Sequence, residues 1–491
     1  MKNIISKYFK YIVLMVLIYM PVFGFLDTLP IRIWDEARLA INAYEMFNNN
    51  DFIVTYFMGE PDMWNTKPPL LIWTQVFFMK IIGVNELAIR LPSAFSAFFT
   101  CIALLIFSTK YLKTPWIGLL AAFVLITSNG YIEIHASRTG DYDTMLTLFT
   151  TLSGLLFFSY CETKNTKHLY LFFLFTAMAV LTKSVTGLMF LPAILLYSVI
   201  QKQLLPLFKN KHFYLGVLSF LVLVVGYYVL RETYNPGYIS AVYDNELGGR
   251  YLEVNDGHNQ GFWFYYDNFI NYQLSLWFLL IPIGLVIGFV INNKKINRLT
   301  LFTSLMVFTF FMVISTAKTK LGWYDVPLYP YLAIIIAISL NFFIFELLNN
   351  FKQTNRLITK NVTLIILLIL IGITPYQKII EKTYKPKEHG WKDFYEISYY
   401  LKDAVKGKHH LDNQYVLYDG YNAHNQFYLN VLNDKGIKIS FKEWTKLEPM
   451  DISIAQQAHI KQYVEEHYEN EIININGSVV TYKIHRRNDK K

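Results

Sequence analysis

The chain has 491 residues, of which 54% are hydrophobic, 17% aromatic and only 16% charged. This composition and the mean hydropathy of +0.28 exclude an ordinary soluble domain and indicate an integral membrane protein. The formal net charge of +9 comes from basic residues in short turns between apolar segments, which indicates membrane topology rather than nucleic-acid binding. Cys101 and Cys161 lie far apart in or beside apolar segments, so neither a disulfide framework nor a Cys/His metal site is predicted.

Apolar segments recur along the chain, and most of them are long enough to be candidate membrane spans. The first is predicted to be a retained span rather than a cleaved signal peptide, because no small-residue cleavage site follows it. The eleven candidate spans are 11–29, 88–108, 116–131, 142–160, 168–183, 187–201, 212–230, 268–291, 299–317, 324–346 and 361–378.

Basic residues cluster in every second turn between these spans, so the positive-inside rule makes those turns and the N-terminus cytoplasmic. An odd number of spans then places residues 379–491 on the outer side. This polar segment has a helical pattern over 393–405 and strand-like runs at 415–418 and 479–484, which predict a small α/β domain. The predicted division is a membrane module, 1–378, followed by this domain.

Two outer loops are long, 30–87 and 231–267. The first contains a short apolar, Pro-led patch, 70–83, which favours a helix lying along the membrane interface over another span. The same loop begins with IRIWDEAR, 31–38, where adjacent carboxylates and two flanking arginines lie at the membrane edge. Charges are costly at that position, so the cluster is either an interfacial loop with solvated charges or a functional site.

Several basic residues lie on outer turns, where the positive-inside rule predicts few. Each one alone is explained as a side chain that anchors a helix end, but together they suit the binding of a lipid-linked phosphate. Carboxylates on the same face are candidate general bases. The basic residues are Arg32, Arg38, Lys67, Arg90, Arg138, Lys183, Arg231, Arg250, Lys318 and Lys320, and the acidic ones are Asp35, Glu36, Glu60, Asp62, Glu86, Glu133, Asp141 and Asp143.

Six segments resemble, in order, those of the GT-C glycosyltransferases that use polyprenyl-phosphate sugars. This group includes the bacterial 4-amino-4-deoxy-L-arabinose lipid A transferases and the protein O-mannosyltransferases. Each motif alone is weak, whereas six in register with matching topology are a strong signal. The segments are IRIWDEARLA (31–40), GEPDMWNTKPPLLIW (59–73), ELAIRLPSA (86–94), SRTGDYDTML (137–146), LTKSVTG (181–187) and STAKTKLGWYDVPLYPYLAI (315–334).

The resemblance implies an all-α polytopic membrane protein with a GT-C fold, about 11–13 transmembrane helices and a periplasmic C-terminal α/β domain. It also implies an inverting transfer, in the bacterial inner membrane, from an undecaprenyl-phosphate-linked sugar to lipid A, another glycan or glycolipid, or a protein hydroxyl. A departing polyprenyl phosphate gains negative charge, which clustered cations can stabilise without a metal. We therefore expect no obligatory cofactor, although paired carboxylates also allow a divalent cation.

Residue by residue, the resemblance makes Asp35 the catalytic carboxylate, with Glu36 holding geometry or contacting the acceptor, and Asp141 a second acidic position. GWY at Tyr324 departs from the commoner LPHY form of the family. His258 is a lone loop histidine and a candidate for phosphate or metal binding. The implied donor-phosphate residues are Lys67, Arg138, Lys183, Lys318 and Lys320, and further substrate contacts are Arg32, Arg38, Tyr324 and His258.

Three other classes of protein remain open at this point. A lipid-sugar transporter or flippase also needs cations at a membrane face, but the chain has neither mid-span charges nor repeated halves. An O-antigen ligase or polymerase would use pyrophosphate donors and fits the Asp-Glu stretch less well. A non-catalytic binding scaffold is disfavoured because carboxylates are present at both Asp35 and Asp141.

Overall fold

The computed structural model describes residues 11–133, 135–252, 259–350, 357–384 and 391–488. Each of the eleven predicted spans falls on helical structure. In the described ranges, six helices are long and apolar enough to cross a membrane, or seven if one sharply bent helix pair is a single span. The chain is therefore a multi-pass, mostly helical membrane protein, as its composition predicts.

The longer helices alternate with short helical turns throughout the first 384 residues. They are α1 (Tyr11–Phe23), α2 (Asp35–Asn49), α3 (Leu70–Ile82), α4 (Glu86–Phe107), α5 (Pro115–Ile126), α6 (Asp143–Thr163), α7 (Thr166–Lys183), α8 (Leu191–Ile200), α9 (Lys211–Tyr234), α10 (Leu280–Val290), α11 (Lys294–Thr316), α12 (Tyr329–Asn350) and α13 (Leu357–Tyr384). Shorter turns include Asn129–Ile132, Ser184–Leu188, Leu204–Phe208, Tyr238–Val242, Tyr243–Leu252, Phe264–Asn268, Phe269–Gln273, Ser275–Leu279 and Val326–Leu328. The bent pair is Phe264–Gln273 with Trp277–Val290.

Local chemistry sets the beginnings of several spans. Asparagine side chains at the N-cap accept hydrogen bonds from the otherwise unpaired N–H groups of the first helical turn. These caps are Asn85 before α4, Asn165 before α7, Asn210 before α9 and Asn293 before α11. Within the spans, buried threonines such as Thr150 and Thr300 donate to the carbonyl four residues earlier, so their hydroxyl groups remain satisfied in apolar surroundings.

The C-terminal region, defined here as 391–488, is an α/β layer, as its sequence pattern predicts. Its strands are β3 (Gln414–Leu417), β4 (Ile439–Phe441), β5 (Ile452–Ala455), β6 (Tyr468–Asn476) and β7 (Val479–Arg487), and its helices are α14 (Glu396–Val405), α15 (Ala423–Asp434) and α16 (Ala458–His467). The five strands form one sheet in the order β4-β3-β5-β7-β6, in which β3 pairs in parallel with β4 and β5, and β7 pairs antiparallel with β5 and β6. A small hairpin, β1 (Tyr56–Phe57) with β2 (Glu60–Pro61), lies in the first outer loop.

Two large apolar clusters organise the molecule. One lies among the spans and includes residues of α4, α5, α6, α11 and α12. The other joins α2, α3, α4 and α6 to the C-terminal region, with Ala40 and Ile41 of α2 in the same cluster as Phe427 and Leu432 of α15. The helix that begins at the Asp-Glu pair is thus packed between the membrane helices and the α/β layer.

Candidate functional site

The adjacent carboxylates Asp35 and Glu36 occupy the first turn of α2. Successive helical positions are rotated by about 100°, so the two side chains leave the helix on different sides. The Asp35 side chain is 51% exposed, whereas that of Glu36 is only 2% exposed. The two residues therefore cannot have the same role, although they are neighbours in the sequence.

Glu36 forms a two-pronged ion pair with Arg90 of α4, with Nε–Oε1 and Nη2–Oε2 distances of 2.7 and 2.9 Å. Its carboxylate also accepts hydrogen bonds from the backbone N–H groups of Arg32 and Gly140, both at 2.8 Å. Burial alone would raise the pKa of Glu36, but the charge and hydrogen bonds of Arg90 hold it below its ordinary value of 4.5. Glu36 is thus a buried anion whose oxygens are occupied by the protein itself.

Arg90 uses its other N–H groups to hold the chain that leads into α2. Its guanidinium donates to the backbone carbonyl oxygens of Leu26, Leu29 and Pro30 at 2.6–2.9 Å. Gly140 allows the loop before α6 to lie directly against α4, since an added Cβ would lie 2.3 Å from Cγ2 of Ile89. Three separate segments therefore meet around one buried ion pair.

Asp35 lines a cleft of about 440 Å³ that is open to the surface. Six of the residues predicted from the sequence line this cleft together, two of them acidic, three basic and one aromatic: Asp35, Asp141, Arg38, Lys67, Lys183 and Tyr324. The remaining lining residues are Leu39, Trp64, Asn65, Tyr142 and Trp323.

Asp141 and Asp35 face one another across His135. The His135 ring nitrogen Nδ1 lies 2.5 Å from Asp141 Oδ2 and 3.6 Å from Asp35 Oδ2. The imidazole stacks on Trp323, with ring centroids 3.6 Å apart. Burial opposes charge on both groups, but their contact raises the pKa of His135 and lowers that of Asp141. The contact with Asp141 therefore favours the charged form of the His135 imidazole.

The two lysines of the cleft are paired with carboxylates that line the adjoining cleft. Lys67 Nζ lies 3.1 Å from Glu246 Oε1, and Lys183 Nζ lies 2.5 and 2.7 Å from the two oxygens of Asp143. These pairs orient buried ammonium groups whose remaining faces line the cleft.

Arg38 forms a similar pair with Asp62, at 2.8 and 2.7 Å, and its guanidinium lies over the ring of Phe57. Although burial would raise the pKa of Asp62, its hydrogen bonds with Arg38 hold that pKa below the usual range. Arg38 is thus fixed at the edge of the cleft.

A second cleft of about 610 Å³ adjoins the first and shares Lys183 and Tyr324 with it. Its remaining lining is mainly apolar and includes Met189, Phe310 and Ile314. An ionic cleft and an apolar cleft therefore meet at Lys183.

Five predicted residues lie away from the cleft lining. Glu36 is buried in its ion pair, and Arg138 donates to the carbonyl oxygens of Pro21 and Gly24 at 3.0 and 2.7 Å. Lys320 is buried and donates to the carbonyls of Gln260 and Ala317, and burial lowers its pKa. The other two are Lys318, which is exposed, and Arg32, which lines a separate crevice beside the C-terminal region. His258 lies outside the described residues.

The sequence motifs did not identify His135, Glu246, Trp64 or Trp323. His135 precedes the SRTGDYDTML segment by two residues, so its nearness to that segment was the available signal. Glu246 comes from the second long outer loop, and its pairing with Lys67 follows only from the tertiary fold.

One donor atom each from Asp35, His135 and Asp141 lie within 4.8 Å of one another. Mixed carboxylate and imidazole donors suit several divalent ions, so this group is where a cation would bind if one were used. Two of the three, His135 and Asp141, are already in hydrogen-bonding contact at 2.5 Å.

Comparisons with known proteins agree with this fold. Residues 66–228 match the model of the family described as dolichyl-phosphate-mannose-protein mannosyltransferase. The crystal structure of ArnT from Cupriavidus metallidurans bound to undecaprenyl phosphate aligns with a TM-score of 0.70 at 14% identity, covering 97% of each chain. The chain has the GT-C fold. The resemblance that the six motifs predict is thereby confirmed.

Among relatives, an uncharacterised protein of Aquifex aeolicus is 28% identical over 309 residues, which is 62% of this chain and 59% of that protein. The undecaprenyl phosphate-alpha-4-amino-4-deoxy-L-arabinose arabinosyl transferase of Aeromonas hydrophila is 24% identical over 318 residues, which is 64% of this chain and 56% of that enzyme. This chain thus aligns with less than two thirds of the length of these relatives.

Replacing Glu36 by Gln should destabilise the protein by about 3–5 kcal/mol, because it leaves the buried Arg90 without its counter-ion. Thermal unfolding in detergent measures the effect. Because pairing lowers the pKa of Glu36, its stabilising contribution is complete above pH 4.5 and is lost as the pH falls through the folded-state pKa. The difference between wild type and variant should therefore shrink in acid.

The matched control is Glu443→Gln, which removes one partner of the exposed pair between Glu443 and Lys446. Such surface pairs contribute at most about 1 kcal/mol. Equal stability of the Glu36→Gln variant and this control would contradict the structural role of the buried pair.

Proposed function

We propose that this protein is a membrane glycosyltransferase that moves a sugar from an undecaprenyl-phosphate-linked donor to an acceptor, with inversion at the anomeric carbon. The observation that carries this proposal is the cleft in which Asp35 and Asp141 face Lys67 and Lys183 beside an apolar cleft. The family match over 66–228 and the named relatives support the same reaction class.

The donor's phosphate is proposed to bind between Lys67 and Lys183. Both ammonium groups line the cleft and lie in a largely buried setting, where their attraction to a phosphate is stronger than in water. The isoprenoid chain then extends along the apolar cleft past Met189 and Phe310. Lys183 lines both clefts, which suits a ligand with a charged head and an apolar tail.

In the proposed reaction, the acceptor hydroxyl or amine gives its proton to the carboxylate of Asp35 as it attacks the anomeric carbon. The bond between that carbon and the phosphate oxygen breaks, and its electron pair leaves with undecaprenyl phosphate. Lys67 and Lys183 stabilise the charge that grows on the leaving phosphate. Asp35 suits the base role because its side chain is half exposed, while Glu36 is occupied by Arg90.

Asp141 is proposed to act through His135. Its carboxylate contacts the imidazole at 2.5 Å and accepts a hydrogen bond from the Tyr142 backbone at 2.6 Å, so it is largely engaged. A positively charged His135 between the two aspartates lowers the repulsion between them. Arg138 and Lys320 are proposed to stabilise the surrounding structure through their hydrogen bonds to backbone carbonyls, while Arg32 and the exposed Lys318 lie outside the cleft lining.

The acceptor is proposed to be lipid A, another glycan or glycolipid, or a protein hydroxyl, reached from the periplasmic side of the inner membrane. The basic turns support a cytoplasmic N-terminus, and the same charge pattern supports a periplasmic domain from residue 379 onward. The C-terminal region lies at the same end of the molecule as Asp35, since its helix α15 shares an apolar cluster with α2, the helix that begins at Asp35.

Asp35→Asn should lower the rate of undecaprenyl phosphate release by about 10²–10⁴-fold, because the amide cannot accept the acceptor's proton. The assay uses purified protein in detergent, undecaprenyl-phosphate-linked sugars and a membrane extract as acceptor. The control is Asp27→Asn, which changes an exposed aspartate in the segment between α1 and α2. Unchanged release by Asp35→Asn would transfer the base role to Asp141. Binding of donor without release by the wild type would favour a transporter.

Chelation should leave the reaction intact, because two lysines of the cleft can stabilise the charge on the leaving phosphate. Release of undecaprenyl phosphate is compared with and without EDTA. Loss of activity that Mn²⁺ restores would overturn this expectation, and it would identify Asp35, His135 and Asp141 as metal ligands.

A further inference from the structure

The loop that leads into α2 is held through its backbone by tyrosines from the C-terminal region. The N–H of Ile31 donates to the Tyr428 hydroxyl at 2.9 Å, and the N–H of Ile33 donates to the Tyr395 hydroxyl at 3.0 Å. These partners are separated by 397 and 362 residues in the sequence. The hydrogen bonds therefore fix the path of the loop without depending on its side chains.

Lys402 of α14 continues this contact toward the membrane helices. Its ammonium group donates to the carbonyl oxygens of Asp27, Thr28 and Leu29, the latter two at 3.1 and 3.4 Å. It also lies 3.0 Å from Glu86 Oε1, which accepts a hydrogen bond from Tyr428 at 2.8 Å. The loop thus has Arg90 on one side and a network of the C-terminal region on the other.

Trp34, the residue before Asp35, has a strained backbone and is held by Tyr421 of the C-terminal region. Trp34 has φ of 69° and ψ of −114°, which is an unfavourable conformation for a bulky side chain. Its ring stacks on Tyr421 with centroids 4.6 Å apart, and its carbonyl accepts a hydrogen bond from that tyrosine at 3.3 Å. Such a conformation persists when the surroundings determine it, and Tyr421 supplies that support.

We propose that the C-terminal region positions Asp35 for the transfer reaction by holding the backbone that precedes it. This inference rests on the proposed function. The positioning residues are Tyr395, Lys402, Tyr421 and Tyr428, none of which lines the cleft. The C-terminal region therefore acts by positioning Asp35, which is a different role from acceptor selection.

The test uses the full-length double variant Tyr395→Phe with Tyr428→Phe, which keeps the rings and removes two hydroxyls. The matched control is Tyr482→Phe, since Tyr482 is equally buried but bonds to Glu465 within the C-terminal region. Each protein is measured for kcat and for acceptor and donor KM by undecaprenyl phosphate release, and for undecaprenyl phosphate binding. Hydrogen exchange at the amides of Ile31 and Ile33 reports on the loop.

We expect kcat to fall at least about tenfold, with undecaprenyl phosphate binding unchanged within about twofold, because misplacement of a reacting group lowers turnover without removing the phosphate site. Exchange at both amides should accelerate at least about tenfold, because each loses its acceptor. The Tyr482→Phe control should change none of these values. Restoring one hydroxyl in either single variant should recover part of the rate.

Unchanged kcat and unchanged amide exchange in the double variant would overturn the proposal. A rise in acceptor KM at constant kcat would also overturn it and would assign acceptor selection to the C-terminal region. If the wild type releases no undecaprenyl phosphate, the proposed function fails and catalytic positioning fails with it. Faster exchange would then still establish that the tyrosines hold the loop.

Discussion

The buried ion pair between Glu36 and Arg90 is the constraint on which the cleft depends. Removing two charges from water is costly, and the cost is offset only when every remaining hydrogen-bonding group finds a partner. Here Arg90 donates hydrogen bonds to three loop carbonyls as well as to Glu36. The backbone N–H groups of Arg32 and Gly140 supply the remaining hydrogen bonds to the Glu36 carboxylate. The polar requirements of one ion pair therefore determine where α2 begins.

The position of Asp35 follows from that beginning. With Glu36 fixed inward, the preceding residue on the helix must point elsewhere, and it faces the cleft that it shares with Lys67 and Lys183. Each of these cations is paired with a carboxylate of the protein, and the pairing sets its position. The result is a group of charges prepared for a ligand that combines a phosphate, a sugar and an apolar chain.

Much of this arrangement could be predicted from the sequence, because span length, charge bias and six ordered motifs are local signals. The length of the apolar segments located the spans, and the motifs brought Asp35, Lys67, Asp141 and Lys183 into one hypothesis. The sequence could not show that Asp35 and Glu36 have different roles, since the inward orientation of the Glu36 side chain depends on its ion pair with Arg90. The sequence also could not show that Arg138 and Lys320 donate to backbone carbonyls. Nor could it predict the contacts of His135 with Asp141 and of Tyr428 with the Ile31 backbone, because they arise only from the tertiary fold.

The most direct test of the central claim is an experimental structure of the protein in lipid nanodiscs with undecaprenyl phosphate bound. We expect phosphate density between Lys67 and Lys183, with the isoprenoid chain along Met189 and Phe310. Phosphate density in the separate cleft lined by Lys378 and Lys382, with the Asp35 cleft empty, would contradict it.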